Sequence, residues 1–252
     1  MILELVDKRD EAKGTKSFFW RTKTPISYLP GQCYYYTLPN LKYKDSRGPT
    51  RHFTISSSPS EGEVLRLTTR IREESGYKKT LDELKIGTKI EGEGPNGTFI
   101  LDENEKGPHL LIAGGIGITP FRSFIKYSVD KQSLAVSDGK GLKTPLYLIY
   151  SNSAPEEIAF RKELEEWTKT YPNIKVGMTV TKPEESKVKW NGLTGRVDEK
   201  MMEKLIRNWK LEIKNLTFWV SGPPPMVDAM EKLLGSLKIT ADRLRSEKFT
   251  GY

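Results

Sequence analysis

The sequence predicts two domains, an antiparallel β-barrel followed by an α/β domain built on a parallel sheet. Two observations support this fold class. Short β-prone segments separated by Pro, Gly and Asn turns fill the N-terminal part. Beyond residue 108, strand-like segments alternate with helical segments, the pattern of a parallel sheet covered by helices on both faces. The polar segment 102–108 separates the two patterns, so we divide the chain into domains 1–105 and 106–252.

In the N-terminal domain, turn residues divide the β-prone sequence into six strands. The predicted strands are residues 2–6, 17–23, 33–38, 51–57, 64–71 and 89–93. Dipeptides such as Pro30-Gly31 supply the turns between them. Residues 78–84 are the one helical interruption. Short strands at this spacing are typical of a small barrel.

The C-terminal domain alternates strands with helices. The predicted strands are residues 110–113, 146–150, 175–181, 216–220 and 243–248, and the predicted helices are residues 120–129, 156–170, 198–209 and 224–237. Apolar residues recur on one helical face, as at Phe121, Phe124 and Ile125. Residues 131–143 are rich in Ser, Gly and Lys, which predicts a surface loop.

Composition excludes several kinds of site. Of the 252 residues, 36% are hydrophobic and 29% charged, as in globular proteins with a core. The single cysteine, Cys33, excludes intrachain disulfides and a cysteine-ligated iron–sulfur cluster, and we expect it in the core. With two histidines in the chain, we predict no metal site. No apolar run approaches the ~18–20 residues of a membrane helix, and no signal peptide is recognisable. We therefore expect a cytoplasmic protein without membrane insertion.

The formal net charge of +8 favours an acidic protein partner. Lysines and arginines are dispersed along the chain, without the blocks typical of nucleic-acid binding, so we predict no nucleic-acid partner. A solvated basic surface is the alternative explanation of the same charge. Both a monomer and a homodimer stay open.

Three glycines directly follow the apolar run 109–113, namely Gly114, Gly115 and Gly117. Glycines allow the backbone to approach an anion closely, and the first amides of the following helix point toward it. The spacing matches neither the Gly-x-Gly-x-x-Gly fingerprint nor a P-loop. A bound nucleotide and a tight strand–helix turn without ligand therefore both stay open.

Three strands of the predicted parallel sheet are followed by unusual loops, residues 114–120, 151–155 and 221–226. Ligands of parallel sheets bind at the carboxyl ends of the strands, so we expect the three loops to line one crevice. A nucleotide lying across this crevice would explain all three. Three ordinary loops are the alternative.

An arginine near the start of a strand, Arg51, is able to hold a phosphate by paired hydrogen bonds. The segment Arg51-His52-Phe53-Thr54 resembles the Arg-x-Tyr-Ser flavin-binding motif of the ferredoxin–NADP reductase superfamily. Loop 114–120 resembles its pyridine-nucleotide loop, and segments 150–152 and 221–224 resemble its later nucleotide loops. Segment 247–249 resembles its C-terminal Glu-x-aromatic. The matches occur in the family's order and span nearly the whole chain.

The resemblance implies a barrel that binds FAD and a second domain that binds NADPH or NADH. The FAD-binding residues that it implies are Arg51, His52, Phe53, Thr54, Thr69, Arg70, Ile71, Gly76 and Thr80. Among these, Arg51 would hold the pyrophosphate and Thr54 would place its hydroxyl near flavin N5. Residues 69–71 would contribute backbone contacts on the phosphate and adenosine side. Gly76 and Thr80 resemble a stretched Gly-x-x-Ser at a helix N-terminus.

The nucleotide-binding residues that the resemblance implies are Gly115, Gly117, Thr119, Pro120, Ser151, Asn152, Gly222 and Pro223. The residues that it places at the reacting centre are Thr54, Ser221, Glu247 and Phe249. Phe249 would cover the flavin ring, which it also helps to bind, until nicotinamide displaces it. Glu247 would belong to the nearby proton and hydrogen-bond network.

The sequence departs from the family pattern at four places. Phe53 replaces the usual Tyr, so a hydroxyl contact to the flavin is lost while stacking remains. Ser221 replaces the usual Cys beside the nicotinamide. The spacing from Gly76 to Thr80 is one residue longer than usual. Residues 251–252 extend beyond the aromatic residue and either stack on the FAD adenine or have no fixed place.

The sequence leaves the choice of nucleotide open. Ser153 stands where some relatives carry Arg, which argues against binding of a 2′-phosphate. Arg161 and Lys182 follow strand ends and are the candidate cations for such a phosphate. On balance these cations favour NADPH slightly, with NADH as the alternative.

The resemblance implies a flavin-dependent oxidoreductase in which hydride passes from NAD(P)H to FAD N5 and electrons then pass to a separate carrier. Because the chain has no iron–sulfur module, we expect an acidic carrier such as ferredoxin or flavodoxin. One alternative is the reductase component of an oxygenase or other redox complex. Another is a non-catalytic subunit that binds flavin or nucleotide.

Overall fold

The computed structural model describes residues 1–101, 107–135 and 144–250, and it contains two six-stranded sheets. The first sheet is antiparallel throughout. Its strands are β1 (Ile2–Ala12), β2 (Thr15–Arg21), β3 (Cys33–Thr37), β4 (Thr50–Thr54), β5 (Val64–Arg70) and β6 (Lys89–Asn96). They lie in the order β4-β3-β6-β1-β2-β5, and a bridge between Ile55 and Leu67 joins the two edges. The predicted barrel is confirmed.

Aromatic side chains fill the barrel because inward-facing residues alternate along each strand. On β2 and β3, Trp20, Tyr34 and Tyr36 are fully buried and pack ring against ring. The helix α1 (Gly76–Glu83) closes one side of the barrel, where the Tyr77 hydroxyl donates a 2.9 Å hydrogen bond to the Tyr36 carbonyl. This bond anchors the first turn of α1 to the barrel core.

The second sheet is parallel, as predicted. Its strands are β7 (His109–Gly114), β8 (Leu146–Asn152), β9 (Ile174–Val180), β10 (Leu193–Thr194), β11 (Thr217–Gly222) and β12 (Leu244–Lys248), in the order β10-β9-β8-β7-β11-β12. The helices are α2 (Ile118–Ala135), α3 (Arg161–Thr170), α4 (Glu199–Asn208) and α5 (Pro224–Ser236). Apolar clusters lie on both faces of the sheet. Because all its strands run parallel, their carboxyl ends lie at a common edge.

The structure differs from the predicted elements in several places. The helix predicted at 156–170 is broken, since a 3₁₀ turn (Pro155–Glu157) precedes α3 and Phe160 between them has a left-handed φ of 58°. The surface loop predicted for residues 131–143 is wrong for residues 131–135, which form the end of α2. Residues 136–143 lie outside the described residues. The strand β10 was not predicted, because two residues carry no periodicity.

A buried network of charges joins the two domains. Arg122 on α2 is 2% exposed and donates hydrogen bonds to Glu61 and to the Ser56 carbonyl of the barrel domain. It also donates to Glu163 on α3, which in turn accepts a bond from Arg66 on β5. The network fixes how the barrel sits on the sheet. The predicted domain boundary, between residues 105 and 106, lies within segment 102–106, outside the described residues. It therefore stays a prediction.

Candidate functional site

The three loops at the carboxyl edge of the parallel sheet meet in one crevice, the sheet cleft. Its lining residues are Arg70, Gly114, Gly115, Ser151, Asn152, Ser153, Glu157, Thr181, Arg196, Val197, Pro223, Pro225, Met226, Ala229 and Met230. The loops after β7, β8 and β11 therefore converge, as the sequence predicts. A crevice at this edge is where parallel sheets bind nucleotides.

The glycines after β7 have different roles. Gly115 has a φ of +52° and open space around its α-carbon, so its backbone faces the sheet cleft. A Cβ on Gly117 would lie 2.2 Å from the Ser221 carbonyl oxygen, so this glycine allows the loop to pack on β11. Thr119 is buried and donates to the Ile116 carbonyl. Pro120 is buried too, so of these residues Gly115 alone lines the cleft.

Charged residues from both domains meet in the sheet cleft. Arg70, at the end of β5 in the barrel domain, forms an ion pair with Glu157 from the turn after β8. The sequence predicted a flavin-side role for Arg70 through its backbone, whereas its side chain lines the sheet cleft. Glu157 and Arg196 were missed. Glu157 follows the predicted strand 146–150, and that position is the signal that would have found it. Arg196 follows β10, which the sequence did not predict, so no such signal marked it.

A second crevice, the barrel cleft, runs between the barrel and the end of the second sheet. Its lining residues are Arg47, Arg51, His52, Phe53, Thr54, Ser75, Lys78, Glu247, Lys248, Phe249 and Thr250. All four residues of the predicted Arg-x-aromatic-Thr segment are among them. Arg47, Ser75 and Lys78 were not predicted. Only Ser75 has a sequence signal, because a serine before an amphipathic segment is a preferred N-cap.

Asp45 organises the cationic part of the barrel cleft. Its carboxylate pairs with the Arg51 guanidinium and accepts a 2.9 Å hydrogen bond from the Tyr77 N–H in the first turn of α1. Burial opposes the ionised form, but these bonds and one from the Arg47 N–H hold the pKa of Asp45 below its usual value. Arg51 also donates to three backbone carbonyls, those of residues 47, 48 and 50. Arg51 is therefore held rigidly at the cleft wall.

Phe53 and Thr54 are buried at the cleft, whereas His52 is exposed. The Phe53 ring lies 6.0 Å from the Tyr77 ring, so it joins the cleft to the barrel core. Thr54 lies opposite Cys33 in the register of β3 and β4. Cys33 is half-buried, and burial followed by the charge of Glu247 raises the pKa of its thiol.

The other predicted phosphate-side residues lie outside the cleft lining. The Thr80 hydroxyl donates to the Gly76 carbonyl and accepts from the Lys42 N–H, so both of these contacts are to the chain itself. A Cβ on Gly76 would lie 2.3 Å from the Lys44 carbonyl oxygen, which explains the glycine by packing. Thr69 is fully buried within β5, and Ile71 packs against the barrel core. Cofactor contacts for these residues stay predictions. Ser75 lines the barrel cleft and is better placed than Thr80 to contact a phosphate there.

Three predicted reacting-centre residues come together where β11 and β12 pair in parallel. Ser221 is opposite Glu247 in the register, and the Phe249 N–H donates a 2.9 Å hydrogen bond to the Gly222 carbonyl. Burial raises the pKa of Glu247 to about 7. The Ser221 Oγ and Glu247 Oε2 atoms are buried without a hydrogen-bond partner among the described residues. Buried polar groups of this kind are commonly satisfied by a ligand or water.

The donors in the barrel cleft fit FAD. Arg51, Ser75 and Lys78 supply the cations and hydroxyl that suit a diphosphate. Phe249 supplies an aromatic face for a planar ring, and the unpartnered Glu247 oxygen suits the polar edge of that ring. The sheet cleft, whose lining residue Pro223 follows Gly222, offers a second nucleotide site.

Comparison with known proteins agrees with this geometry. Residues 3–100 match the family model of the oxidoreductase FAD-binding domain, and residues 111–232 match that of the oxidoreductase NAD-binding domain. The chain belongs to the ferredoxin–NADP reductase superfamily. Its two domains bind FAD and NAD(P)H, as predicted.

Curated relatives include two fungal proteins named NADH-cytochrome b5 reductase 1. The one from Aspergillus oryzae is 31% identical over 193 residues, which are 77% of this chain and 63% of the relative. The one from Cryptococcus neoformans is 31% identical over 199 residues, 77% of this chain and 64% of the relative. The chain thus spans less than two thirds of the length of these relatives.

Solved structures share the fold at low identity. The cytochrome b5 reductase domain of Ulva prolifera nitrate reductase superposes with a TM-score of 0.78 at 21% identity, covering 98% of this chain and 96% of that one. Ferredoxin–NADP⁺ reductase from Plasmodium falciparum, an H286L mutant, gives 0.76 at 20% identity, with 98% and 96% covered. Within the described ranges, no helix of this protein is long and apolar enough to span a membrane.

Proposed function

We propose that this protein is a flavin-dependent NAD(P)H oxidoreductase that passes electrons to a separate carrier. The observation that carries the proposal is the junction of the two clefts. There the pairing of Ser221 with Glu247 and the Phe249–Gly222 hydrogen bond join the residues proposed for nicotinamide to those proposed for flavin. A site that holds two cofactors side by side fits hydride transfer, which requires close alignment of the reacting atoms.

Bound FAD supplies the chemistry, acceptance of a hydride and release of single electrons. The chain supplies binding, orientation and proton control. Arg51 would hold a phosphate at the cationic wall, and Thr54 would supply its hydroxyl near the ring. Phe249 would exclude water from the ring face. Glu247, whose pKa is raised to about 7 by burial, is able to hold or release a proton at neutral pH.

We propose NADH rather than NADPH as the donor. Glu157 lines the sheet cleft, where its carboxylate neutralises Arg70 and is placed to accept hydrogen bonds from a ribose diol and to oppose a 2′-phosphate. The cations that favoured NADPH in the sequence are engaged elsewhere. Arg161 pairs with Glu165, and Lys182 pairs with Glu185 on the surface. The NADH-dependent names of the curated relatives support the same choice.

For the acceptor, we propose an acidic one-electron carrier. The names of the relatives make a cytochrome b5-type haem protein the first candidate, with ferredoxin and flavodoxin next. The net charge of +8 would steer any of these acidic proteins toward the reductase. If carrier reduction did not slow as ionic strength rises, steering would be ruled out.

The test is an anaerobic titration of the purified protein followed at the flavin absorbance near ~450 nm, with NADH and NADPH added separately. Bleaching by NADH at much lower concentration than by NADPH is the expected result. A flavin that neither nucleotide bleaches would favour the non-catalytic subunit instead. Rates with cytochrome b5, ferredoxin and flavodoxin then rank the acceptors.

A further inference from the structure

We propose that Ser123 is a positioning residue for hydride transfer, because its hydrogen bond to the barrel sets the spacing between the flavin half and the nicotinamide half of the site. The inference rests on the proposed function and adds a residue that no motif singles out. Ser123 lies in α2, is fully buried and is not among the lining residues of either cleft. It therefore acts on the reacting centre only through the residues that it holds.

The start of α2 packs against the nicotinamide half of the reacting centre. Gly117, directly before α2, lies so close to β11 that a Cβ there would be 2.2 Å from the Ser221 carbonyl oxygen. The same Cβ would lie 2.7 Å from the α-carbon of Gly222. Because backbone contacts backbone here with no side chain between, a movement of α2 toward β11 would displace Ser221.

The second turn of α2 holds the flavin half of the reacting centre. The Ser123 hydroxyl donates a 2.7 Å hydrogen bond to the carbonyl of Ser57, three residues after Thr54 at the end of β4. The neighbouring Arg122 donates a 2.8 Å bond to the Ser56 carbonyl. Both carbonyls belong to the segment that continues β4, so their position determines where the Thr54 hydroxyl lies.

The segment between Thr54 and α2 is rigid. The Ser56 N–H donates a 2.8 Å hydrogen bond to the Arg66 carbonyl, and the Ser57 hydroxyl accepts a 3.0 Å bond from the Arg66 N–H. The Tyr28 hydroxyl lies 2.9 Å from the Ser57 hydroxyl. The whole segment is buried. A displacement of Ser57 is therefore passed on to Thr54 rather than absorbed between them.

α2 is thus a spacer between the two halves of the site. From Gly117 to Ser123 it spans six residues, which is about 9 Å of helix. In the proposed function NADH is oxidised to NAD⁺ as its hydride, which carries two electrons, passes to the flavin. A misplacement of the reacting atoms by about 1 Å lowers such a rate about 100-fold. Because the side chain of Ser123 bonds to the barrel and not to a cleft, its loss should change the rate and not the affinity for nucleotide.

The first experiment compares amide hydrogen exchange in the purified wild type and in Ser123→Ala by mass spectrometry. The substitution leaves the Ser57 carbonyl without this donor, so exchange in segment 54–58 should rise about tenfold. Arg122 still bonds to the Ser56 carbonyl in this variant. The domains should therefore stay joined, and exchange in β1 and β2 should not change. Wild-type exchange in segment 54–58 of the variant would overturn the inference.

The second experiment measures the reduction of the flavin by NADH in an anaerobic stopped-flow instrument, over a range of NADH concentrations. In Ser123→Ala the rate at saturating NADH should fall about tenfold, while the dissociation constant of NADH stays within about twofold of the wild-type value. A loss of folded protein alone would lower the amplitude of bleaching and leave its rate unchanged. The rate thus separates positioning from stability.

Ser128→Ala is the matched control. Ser128 lies in the same helix, is equally buried, and its hydroxyl has no hydrogen-bond partner among the described residues. The control removes the same hydroxyl group without removing a bond to the barrel, so both measurements should give wild-type values. The inference fails if Ser123→Ala reduces the flavin at a rate within twofold of wild type, if NADH affinity falls instead, or if Ser128→Ala is equally slow.

Failure of this inference differs from failure of the proposed function. If NADH bleaches wild type and Ser123→Ala equally fast, only the inference is lost. If neither nucleotide bleaches wild type, the oxidoreductase function is lost. The exchange experiment needs no turnover, so it still decides whether Ser123 holds the segment after Thr54.

Discussion

Replacing Arg122 by methionine should destabilise the protein much more than replacing a comparable surface arginine. Arg122 is the centre of the network between the domains and donates five hydrogen bonds, two each to Glu61 and Glu163 and one to the Ser56 carbonyl. Methionine keeps an unbranched apolar side chain and removes the charge. It leaves two carboxylates facing each other at the interface.

The magnitude follows from burial. Removing one partner of a buried ion pair costs about 3–5 kcal/mol. The side chains of Glu61 and Glu163 are 24% and 35% exposed, so water screens part of the penalty and we expect the lower end, about 3 kcal/mol. For a chain of this size that corresponds to a fall in Tm of about 6–12 °C. Arg161→Met breaks a pair whose side chains are 38% and 44% exposed and should cost below about 1 kcal/mol.

The assay is urea unfolding of both variants, followed by circular dichroism and by tryptophan fluorescence, at pH 7 and pH 4. Burial opposes ionisation of Glu163, but the bonds from Arg122 and the charge of Arg66 hold its pKa below the usual value. Its contribution to stability is therefore present above the ordinary glutamate pKa and is lost as pH falls through the lowered value. The gap between wild type and Arg122→Met should narrow toward acid. Equal stability of the two variants at pH 7 would refute the reasoning.

Three further predictions follow from the clefts. Glu157→Ala should raise the ratio of kcat/KM for NADPH to that for NADH about tenfold or more, in steady-state assays; no change would argue against repulsion of the 2′-phosphate. Gly117→Ala should lower Tm far more than Gly115→Ala. The Cβ of Gly117→Ala would lie 2.2 Å from the Ser221 carbonyl oxygen, whereas that of Gly115→Ala meets open space. The Gly115→Ala substitution therefore costs only about 1 kcal/mol of backbone strain. In wild type, infrared titration of the Glu247 carboxyl should show a midpoint of about pH 7, absent in Glu247→Gln; a midpoint near the ordinary value would contradict its burial.

The sequence was sufficient for the fold class because its signals are local. Alternation of short strands with turns marks the barrel, and the change to alternating strands and helices marks the parallel sheet. The break before α3 was not predictable, since Phe160 has no intrinsic preference for a positive φ. Its ring lies under the guanidinium of Arg66, 4.6 Å away, in the other domain. That contact is tertiary and has no trace in the local pattern.

The convergence of the loops at the site was predictable from the sequence, whereas the positions of several side chains were not. Convergence of three loops follows from strand direction alone. The family resemblance placed Arg70 on the phosphate and adenosine side of the flavin, through its backbone. Its guanidinium crosses to the sheet cleft because β5 ends at the interface. Asp45 gains its role by joining Arg51 to the Tyr77 N–H of α1, which is distant in sequence, so only the folded arrangement shows it.

The guanidinium groups of Arg66 and Arg122 lie 4.6 and 5.5 Å from the centre of the same ring, that of Phe160. This stack and the carboxylates around it hold the two domains together as one rigid unit. Both clefts then keep a constant separation through the catalytic cycle. In the proposed function, electrons would then pass to the carrier without a domain opening.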